Sequence, residues 1–100
     1  MQVINLSGEF FTVTAYTDGT FQKRETIWKE TEEDYRTTLM ISSEDWIEVR
    51  FPKKNFEAWF NHSARLVRRI DIGGLLKTEI SRGTGVTKNY VLVTSIRHWE

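Results

Sequence analysis

The sequence contains no cysteine, so neither a disulfide bond nor a thiolate metal site can form. A chain without cysteine fits the reducing cytoplasm. No uninterrupted apolar run approaches the roughly 20 residues that a membrane span requires. The N-terminus also lacks a basic region followed by an apolar stretch, so no secretory signal is visible. We therefore expect a cytoplasmic protein without a membrane partner.

Residue patterns that carry catalysis are also scarce. The two histidines, His62 and His98, lie far apart and have no recognisable partners. The glycines of segments 73–74 and 83–85 lack the spacing of a phosphate-binding or dinucleotide-binding loop. The acidic segment 30–34 lacks the spacing of a calcium loop. We expect no enzymatic activity, no cofactor and no metal, and hence a function in binding.

One hundred residues provide for one core, so we expect a single domain over residues 1–100. The net charge is zero, but residues 1–50 carry five Lys and Arg against ten Asp and Glu, whereas residues 51–100 carry nine against four. The folded chain therefore has either one basic face or scattered surface charge. Four Trp exceed what so small a core needs, so at least one should lie at the surface.

The pattern along the chain is mostly that of β-strands. Residues 2–16 are rich in β-branched and aromatic side chains, with Gly8 at a position that suits a bulge or bend. Thr17–Thr20 has turn composition, and a strand over 21–28 would pair back as a hairpin. Segment 29–34 is acidic and without apolar residues, which predicts a mobile loop tip.

A strand over 35–42 precedes the clearest alternation of the chain, at 46–51. There Ile47, Val49 and Phe51 should face a core, and Trp46, Glu48 and Arg50 should face water or a partner. A short helix is predicted over 56–64 with Asn55 as its N-cap, because the aromatic residues at 56, 59 and 60 share one helical face. Strands follow over 66–80 and 89–97, joined by a flexible loop at 81–88.

This element order predicts an all-β fold with one short helix, namely the five-stranded OB-fold Greek-key barrel. The run WIEVRFPKKNFEAW from Trp46 resembles the third strand and following helix of single-stranded DNA-binding proteins of bacteria and phages. The run from Val67 to Ile96 resembles their fourth strand, hairpin loop and fifth strand, and matches their pattern at Ile70, Ile72, Gly74, Leu76, Lys77, Thr78, Gly85 and Tyr90.

The resemblance covers the second half of the chain. The first half departs from the family, Ser81 stands where members often have a DNA-stacking Trp, and the acidic C-terminal tail of the bacterial members is absent. These departures favour a compact phage-type or plasmid-type member. The resemblance implies a homo-oligomer, which we expect to be a dimer. With Phe10 and Phe11 adjacent in one strand, one ring should lie outside the barrel and be available for a subunit contact.

The resemblance also implies sequence-tolerant binding of single-stranded DNA, as in DNA replication. Such proteins stack aromatic rings on bases and hold phosphates with Lys and Arg. Trp46 and Trp28 are the stacking candidates, with Tyr90 as a third. The phosphate-binding candidates are Arg50 and Lys77 on strands, and Lys53, Lys54, Arg82 and Lys88 in neighbouring loops.

Two other classes stay open. The chain also fits an OB module that binds a protein, such as a replication accessory or a phage inhibitor that presents its acidic segment 30–34 to a host protein. It also fits a structural or unrelated β-barrel. An exposed basic face at Trp46, Arg50 and Lys77 would favour DNA binding, whereas a covered face and an ordered, protruding acidic segment would favour the protein-binding module.

Overall fold

The computed structural model describes residues 2–17 and 21–100, with the backbone alone for residues 15–17 and 21–23. The predicted turn through residues 18–20 lies outside these residues. The elements of secondary structure are strands β1 (Gln2–Phe10), β2 (Thr12–Thr17), β3 (Phe21–Thr26), β4 (Lys29–Glu30), β5 (Asp34–Met40) and β6 (Trp46–Pro52), helix α1 (Lys53–Phe60), a 3-10 turn (Ala64–Leu66), and strands β7 (Arg69–Ile80) and β8 (Thr87–Trp99).

Five of these strands form a closed ring. Strand β1 pairs antiparallel with β7 and, at its end, with β5; β5 pairs antiparallel with β6. Strand β6 pairs in parallel with β8, and β8 returns antiparallel to β7. With α1 between the third and fourth strands of the ring, this is an OB-like Greek-key barrel, and the predicted fold class is confirmed.

The ring closes at Gly8. Strand β1 pairs with β7 up to Glu9 and with β5 from Glu9 onward. A Cβ atom at Gly8 would overlap the backbone carbonyl of Met40 on β5. Glycine therefore lets β1 approach β5 while it still pairs with β7, which is the bend predicted at this residue.

The core follows the predicted alternation of β6. Val49 and Phe51 are fully buried. Ile70 and Ile72 of β7 face the same interior. Each such side chain contributes about 1.5–3 kcal/mol to the free energy of unfolding. The outward residues of β6 point away from this core, so their role depends on what covers the outside of the barrel.

The helix differs from the prediction. It begins at Lys53 rather than near residue 56, and Pro52, not Asn55, precedes its first turn without a side-chain cap. Pro52 lacks an N–H and has φ of −55°, so strand pairing ends there and the chain turns directly into the helix. The helix ends at Asn61, which adopts the left-handed conformation with φ of 47°. In the described part of the chain, no helix has the length and apolar character of a membrane span.

Strands β2 and β3 form the predicted hairpin, with Thr12 opposite Thr26. They pair with each other as a separate two-stranded sheet, so β3 is not a strand of the ring. The hairpin is attached at its base, where the buried hydroxyl of Thr26 donates a hydrogen bond of 2.6 Å to the carbonyl of Val67. The hairpin is thus an insertion between the first and second strands of the barrel.

The acidic segment, predicted as a loop tip without anchors, is a hydrogen-bonded turn. Strand β4 pairs with the start of β5, and the Thr31 hydroxyl donates to the Asp34 carboxylate at 2.6 Å. Asp34 is buried and ion-paired with Arg36 at 2.8 Å. The sequence pattern missed this turn because the partners of Asp34 are polar, so they do not appear in a pattern of apolar residues.

Candidate nucleic-acid interface

Strands β6, β8 and β7 are neighbours in the ring, and their outward residues form one continuous face. The register places Glu48 of β6 beside Tyr90 of β8, and Tyr90 opposite Lys77 of β7. Arg50 lies beside Leu92 in the next row. Neighbouring strands are ~5 Å apart, so side chains of adjacent strands touch across this face.

Trp46 lies at one end of this face and is the exposed tryptophan of the chain, with 53% of its surface accessible. Its ring packs against Phe11, with centroids 5.6 Å apart and planes tilted by 41°. Phe10 is buried in the core, so the two adjacent phenylalanines do point to opposite sides, as the alternation of a strand requires. Phe11 therefore lies on the same surface as Trp46, although the two residues are distant in the sequence.

A shallow groove runs beside this aromatic pair. Its lining comes from the residue between β1 and β2, from β4 and the segment before it, and from β5 and β6. It consists of Phe11, Ile27, Lys29, Arg36, Thr37, Thr38 and Glu48. Ile27 and Phe11 are both partly exposed apolar side chains. The groove therefore combines apolar walls with two cationic side chains, a combination that suits a base and its phosphate.

Arg50 lies at the centre of the face but does not meet solvent. It is 5% exposed, its Nε donates to Glu48 and its Nη2 donates to Glu79, each at 2.7 Å. Its guanidinium carbon lies 3.5 Å from the centroid of the Tyr90 ring. In this free structure the predicted phosphate contact of Arg50 is blocked at Nε and Nη2, because two carboxylates already accept hydrogen bonds from these groups.

The same network holds Lys88. Its Nζ lies 2.8 Å from Glu48, so Glu48 bridges the two cations. Burial alone would raise the pKa of Glu48, but hydrogen bonds and charge from Lys88 and Arg50 outweigh it and hold that pKa below its usual range. Two cations and two carboxylates thus neutralise the middle of the face, which is less basic than the sequence suggested.

The structure brings together some of the predicted cations and separates others. Lys77 and Lys88 lie on the face with Trp46 and Arg50, and Lys88 belongs to β8 rather than to a loop. Arg82 is exposed in the loop between β7 and β8.

Lys53 and Lys54 are instead the first residues of α1. At ~3.3 Å per strand residue they lie about 20 Å beyond Trp46 along β6. Lys53 is ion-paired with Glu30 at 3.3 Å and lies near the ring of Tyr35. These two lysines are therefore not part of the face that carries Trp46, contrary to the prediction.

Trp28 is partly buried and packs against the core, so its ring is less accessible for stacking on a base than that of Trp46. Its ring makes edge contacts with Phe10, Phe51 and Phe56 at centroid distances of 5.0–5.3 Å. Its indole N–H donates to the carbonyl of Ala64 at 3.0 Å. The pattern of residues 21–28 does not show which side the ring takes, and in the structure the ring contacts the aromatic side chains of the core.

Tyr90, the third stacking candidate, packs against the guanidinium of Arg50. One face of its ring is covered by Arg50, so it orders the guanidinium rather than offering a free surface to a base. In the described part of the chain no three His, Asp or Glu side chains are grouped in a way that would hold a metal ion. The chemistry available on this face is therefore stacking, hydrogen bonding and ion pairing.

Comparison with known proteins adds one likeness. No protein-family model matches the chain, and no curated protein matches it. Among solved structures it is similar to a small single-stranded DNA-binding protein from Mycoplasma pneumoniae, with a TM-score of 0.61 and 13% identity. The match covers 98% of this chain and 93% of that protein. At this identity the likeness shows the fold, and it extends over the whole OB-like barrel rather than its second half.

Proposed function

We propose that this protein binds single-stranded DNA with little sequence preference, through the face that carries Trp46. The observation that carries the proposal is the exposed Trp46 ring, packed on Phe11 at the outer surface of the third barrel strand. An indole exposed to this extent stabilises the fold little, so its place on the barrel suits a ligand. The similar fold of a protein that binds single-stranded DNA supports the same choice.

Aromatic stacking is the contact that a single strand offers and a duplex does not. Bases of a single strand are free to stack on protein rings, and every base has a π-face, so the contact tolerates any sequence. Trp46 and Phe11 together provide two adjoining rings on which one base, or two neighbouring bases, can stack. Phe11 thus joins Trp46 as a proposed stacking residue.

Phosphate contacts in this proposal come from the cations around the rings. Lys77 faces outward on β7, Arg82 stands in the following loop, and Lys29 and Arg36 line the groove beside Phe11. Arg36 is already paired with Asp34, and Lys88 with Glu48. Because carboxylates neutralise part of the face, we expect modest affinity with a strong dependence on salt.

The experiment is a titration of labelled oligo-dT by fluorescence anisotropy, with tryptophan emission followed in parallel. Wild-type protein should bind at low salt with quenching, and Trp46→Ala should weaken binding by about 1–3 kcal/mol, or roughly 5- to 150-fold. Leu66→Ala is the matched control, since Leu66 is a similarly exposed apolar residue on the 3-10 turn. Absence of binding and of quenching at low salt would exclude the proposal.

A second candidate function rests on the acidic turn. The turn is ordered, and it exposes Glu32 and Glu33 to solvent while Asp34 is held inside. Such a feature suits a basic partner protein. Replacing both exposed glutamates with Gln should abolish partner binding under this function and should leave oligo-dT affinity unchanged or slightly higher under the first.

A further inference from the structure

The two carboxylates that pair with Arg50, those of Glu48 and Glu79, differ in their exposure and in their number of cationic partners. Glu48 has a side chain 17% exposed and is contacted by both Arg50 and Lys88. Glu79 has a side chain 50% exposed, and its contact is with the Nη2 of Arg50 at 2.7 Å. Moving Glu48 would remove a partner from both Arg50 and Lys88, whereas moving Glu79 into solvent would release only one end of one guanidinium.

The position of Glu79 favours such a movement. It lies one residue before the end of β7, next to the exposed loop of residues 81–86. In the register of the barrel it lies opposite Lys88, and Lys77 precedes it by two residues on the same face, ~7 Å away. Displacement of this carboxylate would therefore open an anion position between cations.

The guanidinium is prepared to receive another anion without moving. Glu48 keeps its Nε, and the ring of Tyr90 supports its flat face at 3.5 Å. Carboxylate and phosphate oxygens both match the paired N–H groups of arginine. A phosphodiester can thus replace a carboxylate at Nη2 with the same kind of charge-assisted hydrogen bond.

We infer that the Nη2 end of Arg50 is a latent phosphate subsite, which Glu79 fills in the free protein and a phosphodiester of the bound strand takes over. This inference rests on the proposed function. It explains why an arginine in the middle of a binding face is covered: Glu79 competes with phosphate for the same donor and lowers the affinity for weakly held polyanions.

The test is an oligo-dT titration of wild-type protein and Glu79→Gln at several salt concentrations. The amide keeps the shape of the side chain but loses the charge that competes with phosphate, so binding should tighten about three- to tenfold. The slope of log affinity against log salt should stay near that of wild type, because the same phosphate lies on Arg50 in both complexes.

Glu57→Gln is the matched control, because Glu57 is an exposed carboxylate on α1 that pairs with His62 away from this face. It makes the same change in net charge and should tighten binding clearly less than Glu79→Gln does. In an Arg50→Met background the gain from Glu79→Gln should disappear. If Arg50→Met does not fold, the comparison of affinities between the two glutamine variants decides.

The outcomes distinguish a failure of the latent subsite from a failure of the proposed function. If wild-type protein fails to bind oligo-dT, the proposed function fails and the inference with it. If wild-type protein binds with Trp46-dependent quenching, but Glu79→Gln matches wild type or Glu57→Gln gives the same gain, the latent subsite is excluded and the proposed function stands.

Discussion

The guanidinium carbon of Arg50 lies 3.5 Å from the centroid of the Tyr90 ring, across the parallel pair of strands β6 and β8. A cation so close to an aromatic face, with little water around it, gains more from the ring than an exposed cation does. The pair links β6 to β8 where backbone pairing is short, since only residues 48–50 and 90–92 are in register.

We predict that Tyr90→Leu lowers the free energy of unfolding by about 1–2 kcal/mol, because the ring under the guanidinium is lost. Urea denaturation measures this loss. Tyr90→Phe is the control that keeps the ring and removes the hydroxyl, and its stability should equal that of wild type. Equal losses in both variants would assign the effect to the hydroxyl instead.

Lys77 provides a direct test of the phosphate contacts. It faces outward beside Tyr90, so Lys77→Ala should weaken oligo-dT binding about equally for all sequences and lower the salt slope by about 0.7. Lys54→Ala, an equivalent change on α1, should have a clearly smaller effect. Anisotropy titrations in increasing salt compare the two. A larger effect at Lys54 would place the binding surface on the helix.

Trp28 should affect stability and not binding. Trp28→Phe removes part of a ring that packs on Phe10 and Phe51, and also removes the hydrogen bond to the Ala64 carbonyl. We predict a loss of about 1–3 kcal/mol in the free energy of unfolding. The folded variant should bind oligo-dT with wild-type affinity. Weakened binding without a loss of stability would return Trp28 to the binding surface.

Asp34 should give the acidic turn a role in stability that depends on pH. Burial alone would raise the pKa of Asp34, but hydrogen bonds from Arg36 and Thr31 outweigh it and hold the pKa below its usual range. A depressed pKa means that the stabilisation is present above the unfolded-state pKa of about 4 and is lost as pH falls through the folded-state pKa.

Asp34→Asn should therefore lower the free energy of unfolding by about 1–2 kcal/mol at neutral pH, and the gap to wild type should shrink in acid. Chemical denaturation at a series of pH values measures this gap. The exposed Glu33→Gln is the neighbouring control and should leave stability near wild type. A gap that stays constant with pH would contradict an electrostatic role for Asp34.

The local pattern of the sequence was sufficient to predict the barrel strands and part of the candidate site. The alternation from Trp46 to Phe51 predicted which side chains of β6 enter the core, and the side that it assigned to Trp46 is the exposed one. The bend predicted at Gly8 coincides with the close approach of this residue to β5. These features depend on the two-residue period of a strand and on the missing side chain of glycine, which are properties of the residues themselves.

The tertiary structure alone decided what each outward residue meets. Arg50 points outward as predicted, but Glu79, 29 residues away in sequence, reaches across β8 and covers it. Trp28 packs on Phe10 and Phe51, and Phe11 packs on Trp46. Such contacts join residues distant in sequence, and a local period carries no information about them. Alternation therefore determines the side of a strand that a residue occupies, and the closure of the barrel determines its partners.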